Sequence, residues 1–98
     1  FSVKDGDQVD TLKYNGYIIN IGEGETTPVS ITFTNLTAGS VLYIYVAGGA
    51  ASITRSPCAL QLETGATFTD GFAETAADVD DFVTLLVLSE SKVKVVIR

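Results

Sequence analysis

The densest group of side chains that could bind an ion is the acidic cluster Asp78, Asp80 and Asp81. Carboxylate oxygens are the ligands that Ca²⁺ prefers, so the cluster is a candidate calcium site. It lacks the glycine and the distal glutamate of the helix–loop–helix calcium motif, and runs of charge are usually solvated. We therefore predict a solvated acidic loop here and no metal ion.

A second acidic group, Asp5, Asp7 and Asp10, surrounds Gly6 near the start of the sequence. Alternating acids around a glycine form part of a calcium loop, but no glutamate follows at the required distance. We predict no metal ion here either. No glycine-rich phosphate loop is present, and no cofactor is predicted.

Cys58 is the only candidate thiol nucleophile, and Arg55 lies close enough in sequence to lower its pKa. The sequence contains no histidine, which excludes Ser-His and Cys-His pairs. Paired carboxylates remain available for catalysis, but no convergent set of them is visible. A free cysteine is usually just buried, so we predict a small, half-buried residue and a protein that is not an enzyme.

Four tyrosines could form a binding surface, and two of them, Tyr43 and Tyr45, share one face of a β-rich segment. Such rings serve either as a platform for sugars or proteins, or as ordinary packing with the hydroxyls in water. Because residues 41–46 are apolar on both faces, we expect either a central strand or one that another chain covers on its second side. The predicted interface comprises Leu42, Tyr43, Ile44, Tyr45, Tyr14 and Tyr17.

The segments that must position these residues have the two-residue period of β-strands. Val29, Ile31 and Phe33 alternate with serine and threonine, and residues 82–88 are apolar on both faces except for Thr84. Residues 71–81 are the least strand-like, and we predict an exposed loop there, with or without a short helix. The whole pattern predicts an all-β protein, a small antiparallel β-sandwich or barrel of seven to eight short strands.

Asn15-Gly16 lies between two β-rich runs, residues 9–14 and 17–21, which predicts a two-residue hairpin. The 98 residues fit one domain. Within it we predict an N-terminal hairpin extension over residues 1–28 and a core module over residues 29–98.

The net charge of −6 gives a surface that repels phosphate groups. We therefore predict no nucleic-acid partner. Anionic membranes are disfavoured for the same reason, and no apolar run approaches the ~20 residues of a membrane-spanning helix.

From residue 31 onward the sequence resembles a small β module of tailed-phage virion proteins. The segments that carry the resemblance are ITFTN (31–35), VLYIYV (41–46), AGGAAS (47–52), ALQLETGATF (59–68), VTLLVL (83–88) and KVKVVI (92–97). The resemblance implies a structural protein that decorates or stabilises a capsid or forms part of a head, collar or tail fibre. It also implies a homo-oligomeric β-sandwich, such as a trimer, located in the virion beside the major capsid protein or other virion proteins.

A second hypothesis is an adhesin-like or carbohydrate-binding β-sandwich that uses tyrosine side chains and loop acids, with or without Ca²⁺. Glycan binding would separate it from the virion hypothesis, as would a melting temperature that rises with calcium.

Overall fold

Ten β-strands and no helix form the described part of the chain, which in the computed structural model comprises residues 1–49 and 58–97. Residues 50–52 of the AGGAAS segment therefore lie outside it. The strands are β1 (Ser2–Val3), β2 (Gln8–Asp10), β3 (Ile18–Ile21), β4 (Val29–Thr34), β5 (Val41–Val46), β6 (Cys58–Leu62), β7 (Thr67–Phe68), β8 (Glu74–Ala77), β9 (Phe82–Ser89) and β10 (Lys92–Ile97).

The strands form two sheets, and the chain passes from one to the other after almost every strand. The six-stranded sheet has the order β1-β3-β5-β9-β10-β7, and the four-stranded sheet has the order β2-β4-β6-β8. Strands β1, β3 and β5 are parallel neighbours in the first sheet, as are β2, β4 and β6 in the second. Strands β1 to β6 therefore alternate between the two sheets, and successive turns stack as in a solenoid.

The all-β class is confirmed, but the predicted antiparallel sandwich or barrel is wrong in its pairing. Antiparallel neighbours occur only late among the described strands, where β8 pairs with β6 and β9 pairs with β5 and β10. The alternation of apolar residues specifies which side of a strand is buried, and it does not specify which strand lies beside it. A crossover through the opposite sheet satisfies the same pattern with parallel neighbours.

Inward-facing side chains line up across each sheet and form one core. In the four-stranded sheet, the parallel register stacks Val9 beside Phe33 and Phe33 beside Leu62. In the six-stranded sheet it stacks Val3 beside Ile21 and Ile21 beside Val46. The largest fully buried side chains are Phe33, Phe68, Ile19, Ile21, Ile31, Leu42, Ile44, Leu60 and Leu85.

Residues 1–28 are part of this core, and the predicted N-terminal hairpin does not form. Strand β2 belongs to the four-stranded sheet and β3 to the six-stranded sheet, so they are not paired. Val3, Val9, Ile19 and Ile21 are buried together with core residues from the rest of the chain. The division into an extension and a core module therefore has no counterpart in the packing.

The turn predicted at Asn15-Gly16 does exist, with Gly16 at a positive φ of 80°, but it connects the two sheets. The Asp10 carboxylate accepts hydrogen bonds from the backbone N–H of Leu12 and of Lys13, at 2.9 and 3.0 Å, and the Lys13 bond is the main cause that lowers the pKa of Asp10. The Asn15 side chain accepts a 2.8 Å bond from the N–H of Val41. The turn is thus bound to β5 and does not return along β2.

The predicted exposed loop over residues 71–81 contains a strand, β8, which pairs antiparallel with β6. Ala77 points inward opposite Cys58 and is buried, whereas Glu74 is exposed. Alanine marks the inward face of a strand only weakly because it is also a good helix former. Because of that ambiguity, the sequence pattern predicted a loop at the position of β8.

Two glycines allow consecutive turns of the coil to approach closely at one corner. Gly22 follows β3 and donates to the carbonyl of Val3 at 2.9 Å, while Gly48 follows β5 and donates to that of Ile21 at 3.1 Å. A Cβ on Gly48 would overlap the carbonyl oxygen of Gly22, and one on Gly22 would lie 2.8 Å from the carbonyl oxygen of Gly48. Neither position has room for a side chain.

We expect Gly48→Ala to lower the free energy of unfolding by about 3 kcal/mol or more, because the backbone must move to accept the methyl group. Gly65→Ala is the control: Gly65 has a φ of +92° and open space around it. There only the left-handed backbone conformation is unfavourable, at about 1–2 kcal/mol. Urea denaturation followed by circular dichroism measures both, and equal losses would show that the corner is not tightly packed.

Candidate functional site: the outer face of the six-stranded sheet

The outward-facing side of the six-stranded sheet is apolar and aromatic over its central strands. Leu42, Ile44 and Val46 of β5 point into the core, which turns the alternate residues of that strand to the outside. The same alternation applies to β3 and β9. We call the resulting surface the aromatic face; it consists of Ile18, Asn20, Val41, Tyr43, Tyr45, Phe82, Thr84, Leu86 and Leu88.

The register of the strands places these side chains in rows across the sheet. Ile18, Tyr43 and Thr84 form one row. Asn20, Tyr45 and Phe82 form the next row. The rings of Tyr43 and Phe82, diagonal neighbours, have centroids 6.4 Å apart and planes inclined by 30°. The rings therefore lie side by side on the sheet.

The side chains of the aromatic face leave a large apolar area exposed to water. Exposed fractions are 61% for Ile18, 47% for Leu88, 39% for Phe82, 38% for Tyr43 and 37% for Tyr45. With about 200–250 Å² for each such side chain when fully exposed, the five leave roughly 500 Å² in contact with water. Patches of about 300–600 Å² are the largest on typical monomers and often serve a function.

The outer side of the four-stranded sheet is polar, so the two outer surfaces of the protein differ. Ser30 donates to the side-chain oxygen of Gln61 at 2.8 Å, and Gln61 donates to the carboxylate of Glu74 at 3.1 Å. We call this surface the polar face; its outward residues are Gln8, Asp10, Ser30, Thr32, Thr34, Ala59, Gln61, Glu74 and Ala76.

The predicted interface residues occupy three different places. Tyr43 and Tyr45 lie on the aromatic face. Leu42 and Ile44 are fully buried, since they are the inward residues of β5, so their assignment to an interface is corrected to the core. Tyr14 is partly buried beside the core.

Tyr14 and Tyr17 belong to a separate aromatic group that includes Phe1. Phe1 stacks on Tyr14 with ring centroids 4.2 Å apart, and Tyr17 meets Tyr14 edge-on at 5.4 Å. Sequence reasoning missed Ile18, Phe82, Leu86 and Leu88 as members of the aromatic face. The signal for three of them was the two-sided apolar pattern of residues 82–88, but only the register shows that they lie beside Tyr43 and Tyr45.

The acids of the cluster over residues 78–81 make hydrogen bonds within the fold. Asp81 accepts a 2.8 Å bond from the N–H of Asp78, and Asp80 accepts a 2.6 Å bond from the Tyr45 hydroxyl. Within residues 1–49 and 58–97, no group of three or more potential ligands is placed to hold a metal ion.

The acids near the start of the chain bind backbone N–H groups. Asp5 accepts from the N–H of Ser30 at 2.8 Å, and Asp7 accepts from that of Lys4 at 2.9 Å. Glu25 in turn accepts from the N–H of Asp5 at 3.2 and 3.3 Å. These carboxylates stabilise turns and connect the first turn of the coil to the second.

Cys58 lies on the inward side of β6 and is fully buried. Burial, with a smaller contribution from the Glu25 carboxylate, raises the pKa of the thiol to about 12. The thiol is therefore protonated at neutral pH, which suits a packing role and weakens it as a nucleophile. Arg55 lies outside the described residues.

Comparison with family models, with curated proteins and with solved structures finds no match to this chain. The resemblance to phage virion modules therefore stays a prediction. Among the described residues, no helix is long and apolar enough to cross a membrane.

We expect Asp80→Asn to lower the pKa of Tyr45. The hydrogen bond to Asp80, and then the negative charge of that carboxylate, raise this pKa above 10.0 in the native chain. The bond therefore stabilises the fold fully below pH 10.0, and this contribution is lost as pH rises through the higher folded-state pKa. Alkaline titration of tyrosine absorbance measures the shift, with Tyr45→Phe identifying the transition. An unchanged titration in Asp80→Asn would contradict the contact.

We expect Cys58 in the native chain to react with iodoacetamide at least about 100-fold more slowly than in urea, because the thiol is buried and protonated. Mass spectrometry at several labelling times gives both rates. Similar rates would mean that β6 opens readily or that the thiol is accessible.

Proposed function

We propose that this chain is a non-enzymatic structural module of a virion and that it attaches to neighbouring proteins through its aromatic face. One observation carries the proposal. Outward positions on β3, β5 and β9 form a mainly apolar surface that includes two polar residues, Asn20 and Thr84, whereas the other sheet presents hydrogen-bonded polar groups. A face of this kind is suited to contact with protein.

The lengths of the strands favour attachment through the face over attachment through a sheet edge. The edge strands β1, β2, β7 and β8 have two, three, two and four residues, whereas the central strands β5 and β9 have six and eight. Short edges offer few unpaired backbone groups to an added strand. The long central strands instead present their outward side chains to a partner.

The area of the face is sufficient for a contribution to assembly. Covering the roughly 500 Å² that these five residues expose, most of it apolar, is worth at most about 12 kcal/mol at about 25 cal/mol per Å². Association costs about 4–15 kcal/mol in lost freedom of motion. A partner that contributes an apolar surface of its own therefore makes the contact stable.

The chemistry of the described side chains supports a mechanical role. Asp5, Asp7 and Asp10 accept hydrogen bonds from backbone groups. The Cys58 thiol is held protonated in the core. The coil itself suits such a role, since each of its parallel strands is hydrogen-bonded to the neighbouring turn.

The assignment to a virion rests on the sequence resemblance over residues 31–97, which implies capsid decoration or a place in a fibre. Partners in this proposal are other copies of the chain and the major capsid protein or another virion protein. The resemblance implies a sandwich, and the coiled topology found here shares with it two packed sheets.

A second candidate function, binding of a carbohydrate, is favoured by the arrangement around Phe82. The rings of Tyr43 and Phe82 could stack on a sugar, and the Asp80 carboxylate lies beside them at the Tyr45 hydroxyl. The calcium-dependent form of this hypothesis has no support from the described acids, because they do not gather around one point. Binding on a glycan panel that is lost in Tyr43→Ala would favour this function.

In purified particles of the virus that encodes this chain, we expect the protein at a fixed copy number. Ile18→Glu should reduce that number about tenfold or more, because a charge on the aromatic face must be desolvated on attachment. Gln8→Glu is the matched control, since it adds the same charge at an exposed position on the polar face. Quantitative mass spectrometry of particles measures both. Absence of the native chain from particles would contradict the proposal.

A further inference from the structure

We propose that the aromatic face binds the same face of a second copy, so that two six-stranded sheets stack in a two-fold symmetric dimer. The inference rests on the proposed function, since it takes the aromatic face to be the attachment surface, and it names the partner at that surface.

The distribution of charge favours a second copy as the partner. The sequence has twelve acids and a net charge of −6, so two copies repel each other wherever acidic surfaces meet. Strands β3, β5, β9 and β10 contain none of these acids, and their only charged residues are Lys92 and Lys94 in β10. The aromatic face is thus free of acids, and Lys94, which pairs with Leu86, lies at its β10 border, so two copies meet there without repulsion between carboxylates. A basic partner would instead be attracted to the acidic surfaces.

Asp80, an acid at the border of the face, is already hydrogen-bonded. Asp80 accepts a 2.6 Å hydrogen bond from the Tyr45 hydroxyl at the border of the face. The hydroxyl of Tyr45 therefore has an acceptor within its own chain and needs none from the partner. This arrangement lets the row that contains Tyr45 and Phe82 enter an apolar contact.

The shape and area of the face suit sheet stacking. The three strands β3, β5 and β9, spaced about 4.8 Å apart and on average about six residues long, give a surface of about 10 by 20 Å. The Tyr43 and Phe82 rings lie side by side across it, with centroids 6.4 Å apart. Two copies hide roughly 1,000 Å² from their most exposed side chains alone, and the half-buried neighbours bring this toward the 1,200–2,000 Å² of stable interfaces.

The test is the mass of the full chain in solution as a function of concentration, measured by sedimentation equilibrium. We expect the native chain to be a dimer. Thr84→Lys should raise the dissociation constant about 30-fold or more, because it places an unpaired charge in the contact. Thr32→Lys is the matched control, since Thr32 is an outward, half-buried threonine on the central strand β4 of the polar face. It should leave the dimer intact.

Ile18→Lys tests the same surface at its most exposed side chain, in case Thr84→Lys does not fold by circular dichroism. The inference is overturned by a native chain that stays monomeric at millimolar concentration or forms a trimer. It is also overturned if Thr32→Lys breaks the dimer and the changes on the aromatic face do not. A monomeric chain that binds a glycan through Tyr43 would also overturn the inference, because the ligand of the aromatic face would then be a sugar.

Failure of this inference and failure of the proposed function give different results. A monomeric chain that is still incorporated into particles overturns the dimer and leaves the virion role. A dimer that is broken by Thr84→Lys but is missing from particles supports the dimer and removes the virion role.

Discussion

The close backbone contact between Gly22 and Gly48 governs how successive turns of this coil stack. Strands in one sheet lie about 4.8 Å apart, and the corners that connect the sheets must keep the same spacing. At this corner the N–H of Gly22 is bonded to the carbonyl of Val3, and the N–H of Gly48 to that of Ile21. A side chain on either glycine would push the turns apart and disturb the pairing of every strand that follows from them.

That pairing builds the core and the aromatic face at the same time. The register that places Ile19 beside Ile44 on the inside places Ile18 beside Tyr43 on the outside. A slip of one residue would exchange the two sets, so the buried side chains hold the exposed ones in position. The aromatic face is therefore as well defined as the core behind it, although none of its members is needed to fill that core.

The acidic composition of the chain is explained largely by its turns. Carboxylates accept hydrogen bonds from backbone N–H groups where the chain leaves a strand, as Asp10 does at Leu12 and Lys13. Asp5 and Glu25 do the same between neighbouring turns of the coil. Acids placed at the corners leave the long central strands of the six-stranded sheet without negative charge. The surface is thus divided into acidic corners, a polar face and an aromatic face.

The sequence by itself determined the all-β class, the inward residues of β4 and the turn at Gly16, because each depends on residues close together in the chain. It also showed that residues 41–46 are apolar on both sides. Only the tertiary structure decided that the strands coil in parallel through two sheets and that Leu42 is core while Tyr43 is surface. Only the tertiary structure shows that Ile18 and Phe82 lie beside Tyr43 and Tyr45. The physical reason is that a two-residue period describes the two sides of a strand equally well and contains no information about the neighbouring strand.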